Sequence, residues 1–189
     1  MASVPPINDE HARQLLSLAS NNERAFKALY DLFSNRVYNT AISYTHNEHD
    51  AEELVQEIFV KIHRSATTFK EKSLVSTWIY RITVNKCLDF LRHKKRLRFL
   101  NYISLSSIDN KPPIDFNHPG IILENKEKAA LLFKKIDLLS AQQKTAFLLS
   151  YIEQLPRQQV ADIMELSLKA VESLLQRAKA NLRKHIGKR

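Results

Sequence analysis

Apolar side chains recur every three or four residues at Phe26, Leu29, Tyr30, Phe33 and Val37, and again at Ala51, Leu54, Val55, Ile58, Phe59 and Ile62. That spacing predicts two amphipathic helices, and Asn47 stands where the second needs an N-cap. Ser65 to Ser73 is polar and has no such period, so it reads as a loop. Ser73 is placed to cap a third helix that carries Val75, Trp78, Ile79 and Ile82 on one side and extends to about Arg98. A weaker pattern predicts a short leading helix over Asp9 to Ala19.

Toward the other end, Ser140 with Gln143 three residues later is a capping-box pattern, and it opens a helix through Ala146, Phe147 and Tyr151. Pro156 suits the first turn of the next helix, over residues 157 to 164. A tight turn follows near Glu165 and Leu166, and Ser167 is placed to cap a long final helix to about Ile186. Ala161 permits close helix approach, Val160, Met164 and Leu166 fill the angle, and Val171 and Leu174 bury the second helix. This is the pattern of a helix-turn-helix, whose second helix enters the DNA major groove. An ordinary helical hairpin shares much of it, and the position often given to glycine is Glu165.

No helical period survives across residues 98–125, which hold Pro112, Pro113, Pro119, Gly120 and the polar run Ser104 to Asn110. The chain therefore divides into an N-terminal helical domain (1–97), a flexible linker (98–125) and a C-terminal helix-turn-helix domain (126–189), an all-α fold. Fully extended, the linker would span about 95 Å.

Charge sharpens the picture. With 29 Lys and Arg against 20 Asp and Glu, the 189-residue chain carries a formal +9. By segment the basic and acidic counts are 14 and 11 over 1–97, 2 and 3 over 98–125, and 13 and 6 over 126–189. From Leu175 onward come Arg177, Lys179, Arg183, Lys184, Lys188 and Arg189 without one acid, a run suited to phosphates that argues against a plain hairpin. A second run, Arg81, Lys86, Arg92, Lys94, Lys95, Arg96 and Arg98, lies beside Phe69, Trp78 and Tyr80. Cations interleaved with aromatic rings suit unstacked bases. Trp78 fits core packing better than base contact, whereas Phe69, in a polar loop, is the better candidate to meet a splayed base.

Two glycines, Gly120 and Gly187, leave no Gly-rich phosphate loop or dinucleotide fingerprint and argue against a hairpin-rich β protein. The single Cys87 forms no internal disulfide and fits a reducing compartment. The first ten residues lack the apolar stretch of a secretory signal, and no apolar run approaches a membrane span, so a cytoplasmic location is expected. No catalytic constellation stands out, and neither cofactor nor metal is expected. His49, Glu53 and Glu57 lie four apart on one helix, but spread over about 12 Å they cannot all meet one ion. With Asp50 and Glu52 they form an isolated acidic face, more natural as a surface for a basic protein partner.

Asp50-Ala51-Glu52-Glu53-Leu54-Val55-Gln56-Glu57-Ile58-Phe59, then Ser76-Thr77-Trp78-Ile79-Tyr80-Arg81-Ile82 with Asn85, resemble bacterial sigma factors of the extracytoplasmic-function type. Val160-Ala161-Asp162-Ile163 and Val171-Glu172-Ser173-Leu174-Leu175-Gln176-Arg177-Ala178-Lys179 resemble that family's C-terminal helix-turn-helix. The resemblance implies a promoter-specificity subunit, not an enzyme, that binds core RNA polymerase and promoter DNA, with an anti-sigma factor as a further partner. Asp50, Glu53, Leu54, Gln56 and Glu57 would meet the polymerase clamp. Thr68, Phe69, Trp78, Arg81, Asn85, Lys86 and Arg92 would recognise and open the minus ten element. Ser167, Lys169, Glu172, Ser173, Gln176, Arg177, Lys179 and Arg183 would serve the minus thirty-five element, and the linker would enter the polymerase's active-site channel. Glu172 and Leu175 depart from the family, which often has basic residues there, so phosphate contact shifts to Lys169, Arg177 and Lys179. The alternatives are a stand-alone helix-turn-helix regulator, against which the acidic helix and the aromatic-basic helix both argue, and a helical scaffold or RNA-binding adaptor, which has no need of a helix-turn-helix ending in a cationic helix.

Overall fold

A computed structural model of the chain describes residues 7–104 and 126–186, and every regular element among them is helical. α1 (Asp9–Leu18), α2 (Glu23–Thr45) and α3 (Glu48–Ser65) lead to a 3-10 turn at Ala66–Thr68 and then to α4 (Val75–Ser104). α5 (Lys126–Ile136), α6 (Ala141–Phe147), α7 (Arg157–Met164) and α8 (Leu168–Ile186) follow. No helix among the described residues is long and apolar enough to cross a membrane.

Short polar side chains set most helix starts. Asn8, Asn22 and Asn47 accept from the backbone N–H groups of His11, Ala25 and Asp50, each satisfying a donor that lacks a partner in the first turn. Ser167 Oγ does the same for Ala170 at 3.2 Å. His46 and Glu165, with φ of 54° and 55°, turn the chain left-handed after α2 and α7. The N–H of Leu166 then returns to the carbonyl of Ala161 at 3.0 Å, closing the turn without glycine.

Two starts differ from the sequence expectation. Ser73 does not cap α4, because Asp9 Oδ1 takes the N–H of Val75 at 2.7 Å. A carboxylate carried on the packed α1 brings negative charge to the helix N-terminus, which a serine hydroxyl cannot. At α6, Ser140 Oγ accepts from the Gln143 N–H at 3.4 Å, but the reciprocal half of the box is not made. Gln143 Oε1 instead accepts from Asn181 of α8 at 3.1 Å, a tie between helices.

α4 continues past residue 97 to Ser104, so the first seven positions expected to form the linker are helical. The rest of the expected linker lies outside the described residues, as do Lys188 and Arg189. After α6 the helix widens over Leu148–Ile152. There the N–H of Glu153 returns to the carbonyl of Leu148, five residues back, and that of Leu155 to Leu149, both at 3.0 Å.

Buried side chains form two clusters, and both join the two halves of the chain. The first unites Leu29, Phe33, Ile58, Ile62 and Ile79 with Phe133, Ile136, Leu148 and Leu182. The second unites Tyr80 and Val84 with Leu149, Val160, Val171 and Leu175. Polar groups cross the same boundary: the buried Tyr44 hydroxyl donates to Thr145 Oγ1 at 2.8 Å, and Asp137 Oδ1 lies 3.0 Å from His46 Nε2 and 2.7 Å from Lys144 Nζ. Burial pushes the Asp137 carboxyl up, but the His46 hydrogen bond and the Lys144 charge outweigh it and hold the group below its ordinary value. The two units, whose relative placement the sequence left open, thus pack directly on each other.

Candidate functional site

On α3 the apolar stripe faces the core and Glu53, Gln56 and Glu57 stand exposed on the other side. Val60, 49% exposed, continues their row at i, i+3, i+4 and i+7. The sequence reading missed Val60 because it sought charge, although an apolar residue lying off the buried stripe is itself a signal. Leu54 is a correction: it belongs to the buried stripe and is only 2% exposed, so it supports the acidic surface from beneath and cannot touch a partner. Asp50 is half-buried and pairs with Lys94, and Glu57 Oε2 lies 2.9 Å from Lys86 Nζ. Among the described residues the ligand atoms that gather are those of His49, Asp50 and Glu53, rather than His49, Glu53 and Glu57. Lys94 already answers the charge of Asp50.

The loop before α4 is tied down by α1. Arg13 reaches Asp9 at 2.7 Å, Glu71 at 3.5 Å and the Ser73 carbonyl at 3.2 Å, and its guanidinium sits 5.9 Å above the Phe69 ring. Phe69 is therefore not free in a polar loop. It is half-buried, with its ring centroid 5.5 Å from that of Trp78, because an aromatic ring beside an apolar groove gains more from packing than from water. Trp78 is half-buried too, as core packing required, while Thr68 and Asn85 are exposed. Arg81 Nη1 lies 3.0 Å from Glu165 Oε1, and its Nη2 donates to the Asp162 carbonyl at 2.6 Å. Arg92 pairs with Asp89 one turn back. Arg81 and Lys86 of α4 are thus not equivalent: Arg81 is held by the C-terminal unit, and Lys86 by the acidic face of α3.

On α8, Lys169, Glu172, Gln176, Arg177, Lys179 and Arg183 are exposed and Ser173 is half-buried. Ser167 serves as the N-cap, so its hydroxyl is already committed to Ala170. Leu175 is 2% exposed and packs in the second cluster, which explains an apolar residue where a basic one was looked for. Glu172 Oε1 is 3.8 Å from Arg157 at the start of α7, and the Lys179 ammonium sits 4.7 Å above the Tyr151 ring. A shallow groove of about 190 Å³ runs between these groups.

Residues 29–97 match sigma-70 region 2, which spans most of α2, all of α3 and α4 to Leu97, and residues 129–182 match sigma-70 region 4, which contains the helix-turn-helix. The chain is 30% identical over 141 residues to RNA polymerase sigma factor SigV of Bacillus subtilis, covering 75% of this chain and 78% of that protein. The chain belongs to the ECF-type RNA polymerase sigma factors. It is also 29% identical over 155 residues to the ECF RNA polymerase sigma factor SigE of Mycolicibacterium smegmatis, covering 82% of this chain but 59% of that relative's length. Its fold is similar to that of the sigma factor RpoE from Bartonella quintana, solved in complex with the anti-sigma factor NepR, with a TM-score of 0.63 at 21% identity over 87% of this chain and 98% of that one. Sigma factors act in promoter-specific transcription, and the surfaces described above lie within or beside the two matched regions.

Proposed function

We propose that this sigma factor is a cytoplasmic, non-enzymatic subunit that directs core RNA polymerase to promoters through three surfaces and needs no cofactor. The row Glu53, Gln56, Glu57 and Val60 docks on the polymerase, its acidic part continued at one end by the apolar Val60. The Arg81 side of α4, with Thr68, Phe69, Trp78, Asn85, Lys86 and Arg92, handles the minus ten element, whose bases stack on rings and whose backbone is neutralised by the cations. The first turns of α8 read base edges at the minus thirty-five element through Lys169, Glu172, Ser173 and Gln176, while Arg177, Lys179 and Arg183 meet phosphates. An anti-sigma factor, as found with RpoE of Bartonella quintana, is the partner that would hold it inactive.

The observation that carries this reading is the segregation of charge: an exposed acidic face on α3 within region 2 and a cationic face on α8 within region 4. The experiment is reconstituted transcription. Core polymerase with this chain starts transcripts at a defined site, and neither does so alone. Initiation unchanged by omission of the chain would overturn the reading.

A further inference from the structure

The face of α4 that carries Ser76, Tyr80 and Arg81 is covered by the C-terminal unit. Gln159 Nε2 of α7 donates to Ser76 Oγ at 3.3 Å. The Tyr80 hydroxyl donates to Glu153 Oε2 at 3.1 Å, and Arg81 is held by Glu165 and the Asp162 carbonyl in the turn of the helix-turn-helix. These contacts differ in depth. Glu165 is exposed, so its pairing with Arg81 is screened by water. Tyr80 is buried, and Glu153 Oε1 is out of contact with solvent. Facing the Glu153 carboxylate are Tyr80 from α4 and Thr40 and Arg36 from α2, with Tyr44 of α2 also within electrostatic reach.

We propose that Glu153 is the latch of a self-masking clasp, in which its carboxyl group holds the helix-turn-helix unit against α4 and so keeps DNA away from Arg81. The masking rests on the DNA-facing role given to Arg81 above; the latch does not. Burial, the dominant influence, pushes the Glu153 carboxyl up to about 7, against the Tyr80 hydrogen bond, the nearby Thr40 hydroxyl and the charge of Arg36. When the units part, the group returns to water and to its ordinary value of 4.5. Closure therefore takes up a proton between these two values, and the clasp loosens as pH rises toward 7. Once protonated, the carboxyl becomes a donor, and the buried Thr40 hydroxyl facing it can accept. Opening then leaves a single ionised carboxylate in water and frees the α4 face.

The test is the distance between labels on cysteines introduced at the exposed positions Arg24 and Ala180, read in the full chain from pH 6 to 8.5. The native thiol does not compete, because burial pushes Cys87 up to about 12. The closing equilibrium of the wild type falls about tenfold across this range, so its mean distance lengthens. Glu153→Gln, neutral at every pH, stays closed and shows no such response. Tyr80→Phe keeps the ring but removes a hydrogen bond that favours the ionised carboxylate, so the midpoint moves to higher pH. His46→Asn is the control for the His46–Asp137 contact across the same boundary, and it keeps the Glu153-linked response. A wild-type distance indifferent to pH overturns the latch, as does a Glu153→Gln variant that opens like the wild type or a His46→Asn variant that no longer responds. Promoter DNA binding by the free chain should follow the distance. If the distance responds while Arg81→Ala leaves initiation by the holoenzyme unchanged, the masking is overturned and the latch stands.

Discussion

On α3 and α4 the ionic side chains placed at partner surfaces are largely answered by the chain itself: Asp50 faces Lys94, Glu57 faces Lys86, Arg81 faces Glu165 and Arg92 faces Asp89. On α8, among the described residues, Lys169 and Arg183 form no ion pair and Gln176 no side-chain hydrogen bond. Binding therefore asks different things of the two regions. A phosphate arriving at α8 releases counterions and displaces little, so affinity there depends steeply on salt. A partner arriving at α3 or α4 must exchange one ion pair for another, and only the difference between the two appears as affinity. On the proposed reading the N-terminal unit serves discrimination between partners, and α8 ready attraction.

The contrast stands on a distinction between residues that build a surface and residues that present one, and Leu54 is its most severe test. Leu54→Ala should destabilise the fold by about 2–5 kcal/mol, read as a lower urea midpoint. If stability is unchanged while polymerase binding is lost, Leu54 is a contact residue and the division fails. Next in size, Glu57→Lys or Val60→Asp should weaken association with core polymerase by roughly 2–5 kcal/mol if the contact is desolvated, with little change in the urea midpoint. Exchanging the partners, Glu57→Lys with Lys86→Glu, restores the internal pair but should not restore polymerase binding. Recovery in a pull-down by that double variant would mean that the pair matters only to the fold.

Much of the fold is legible because helix-turn-helix spacing and asparagine caps are local signals, written within three or four residues. Asn47, the α7–α8 turn at Glu165 and the cap at Ser167 lie where the sequence places them. What is not legible comes from distant chain. Asp9 displacing Ser73 as the cap of α4, Asn181 capturing Gln143, and Arg13 with Trp78 enclosing Phe69 each depend on a residue brought from another helix. Charge clusters are visible along the sequence, but their pairing is not, since opposite charges on different helices have no fixed sequence separation.

A finer test of α8 separates reading from anchoring. Glu172→Ala should alter promoter choice by roughly 1–3 kcal/mol at one base pair, whereas Arg183→Ala should weaken all promoters alike and flatten the salt dependence. Transcription from a promoter library at two salt concentrations distinguishes them, and equal shifts for both variants would erase the difference. The smallest effect should come from Ser167→Ala, which removes the cap of α8 at a cost of about 1 kcal/mol. Its thermal midpoint should fall slightly while promoter ranking is kept. A changed ranking would make Ser167 a DNA contact as well as a cap.

The wide turn at Leu148–Ile152 makes the placement of Glu153 a matter of chain length as much as of residue type. A turn closed by hydrogen bonds five residues apart holds one residue more than an ordinary helical turn. Deleting one residue there would leave an ordinary turn of nearly the same rotation, whereas deleting a second would swing everything after it by about 100° around the helix axis. The helix-turn-helix could survive that rotation intact, since its own caps and turn lie downstream, yet the carboxylate that meets Tyr80 would point elsewhere. A sigma factor two residues shorter at this place would keep its helix-turn-helix and lose its grip on α4, so a gap in the sequence, rather than a substitution, can separate the two properties.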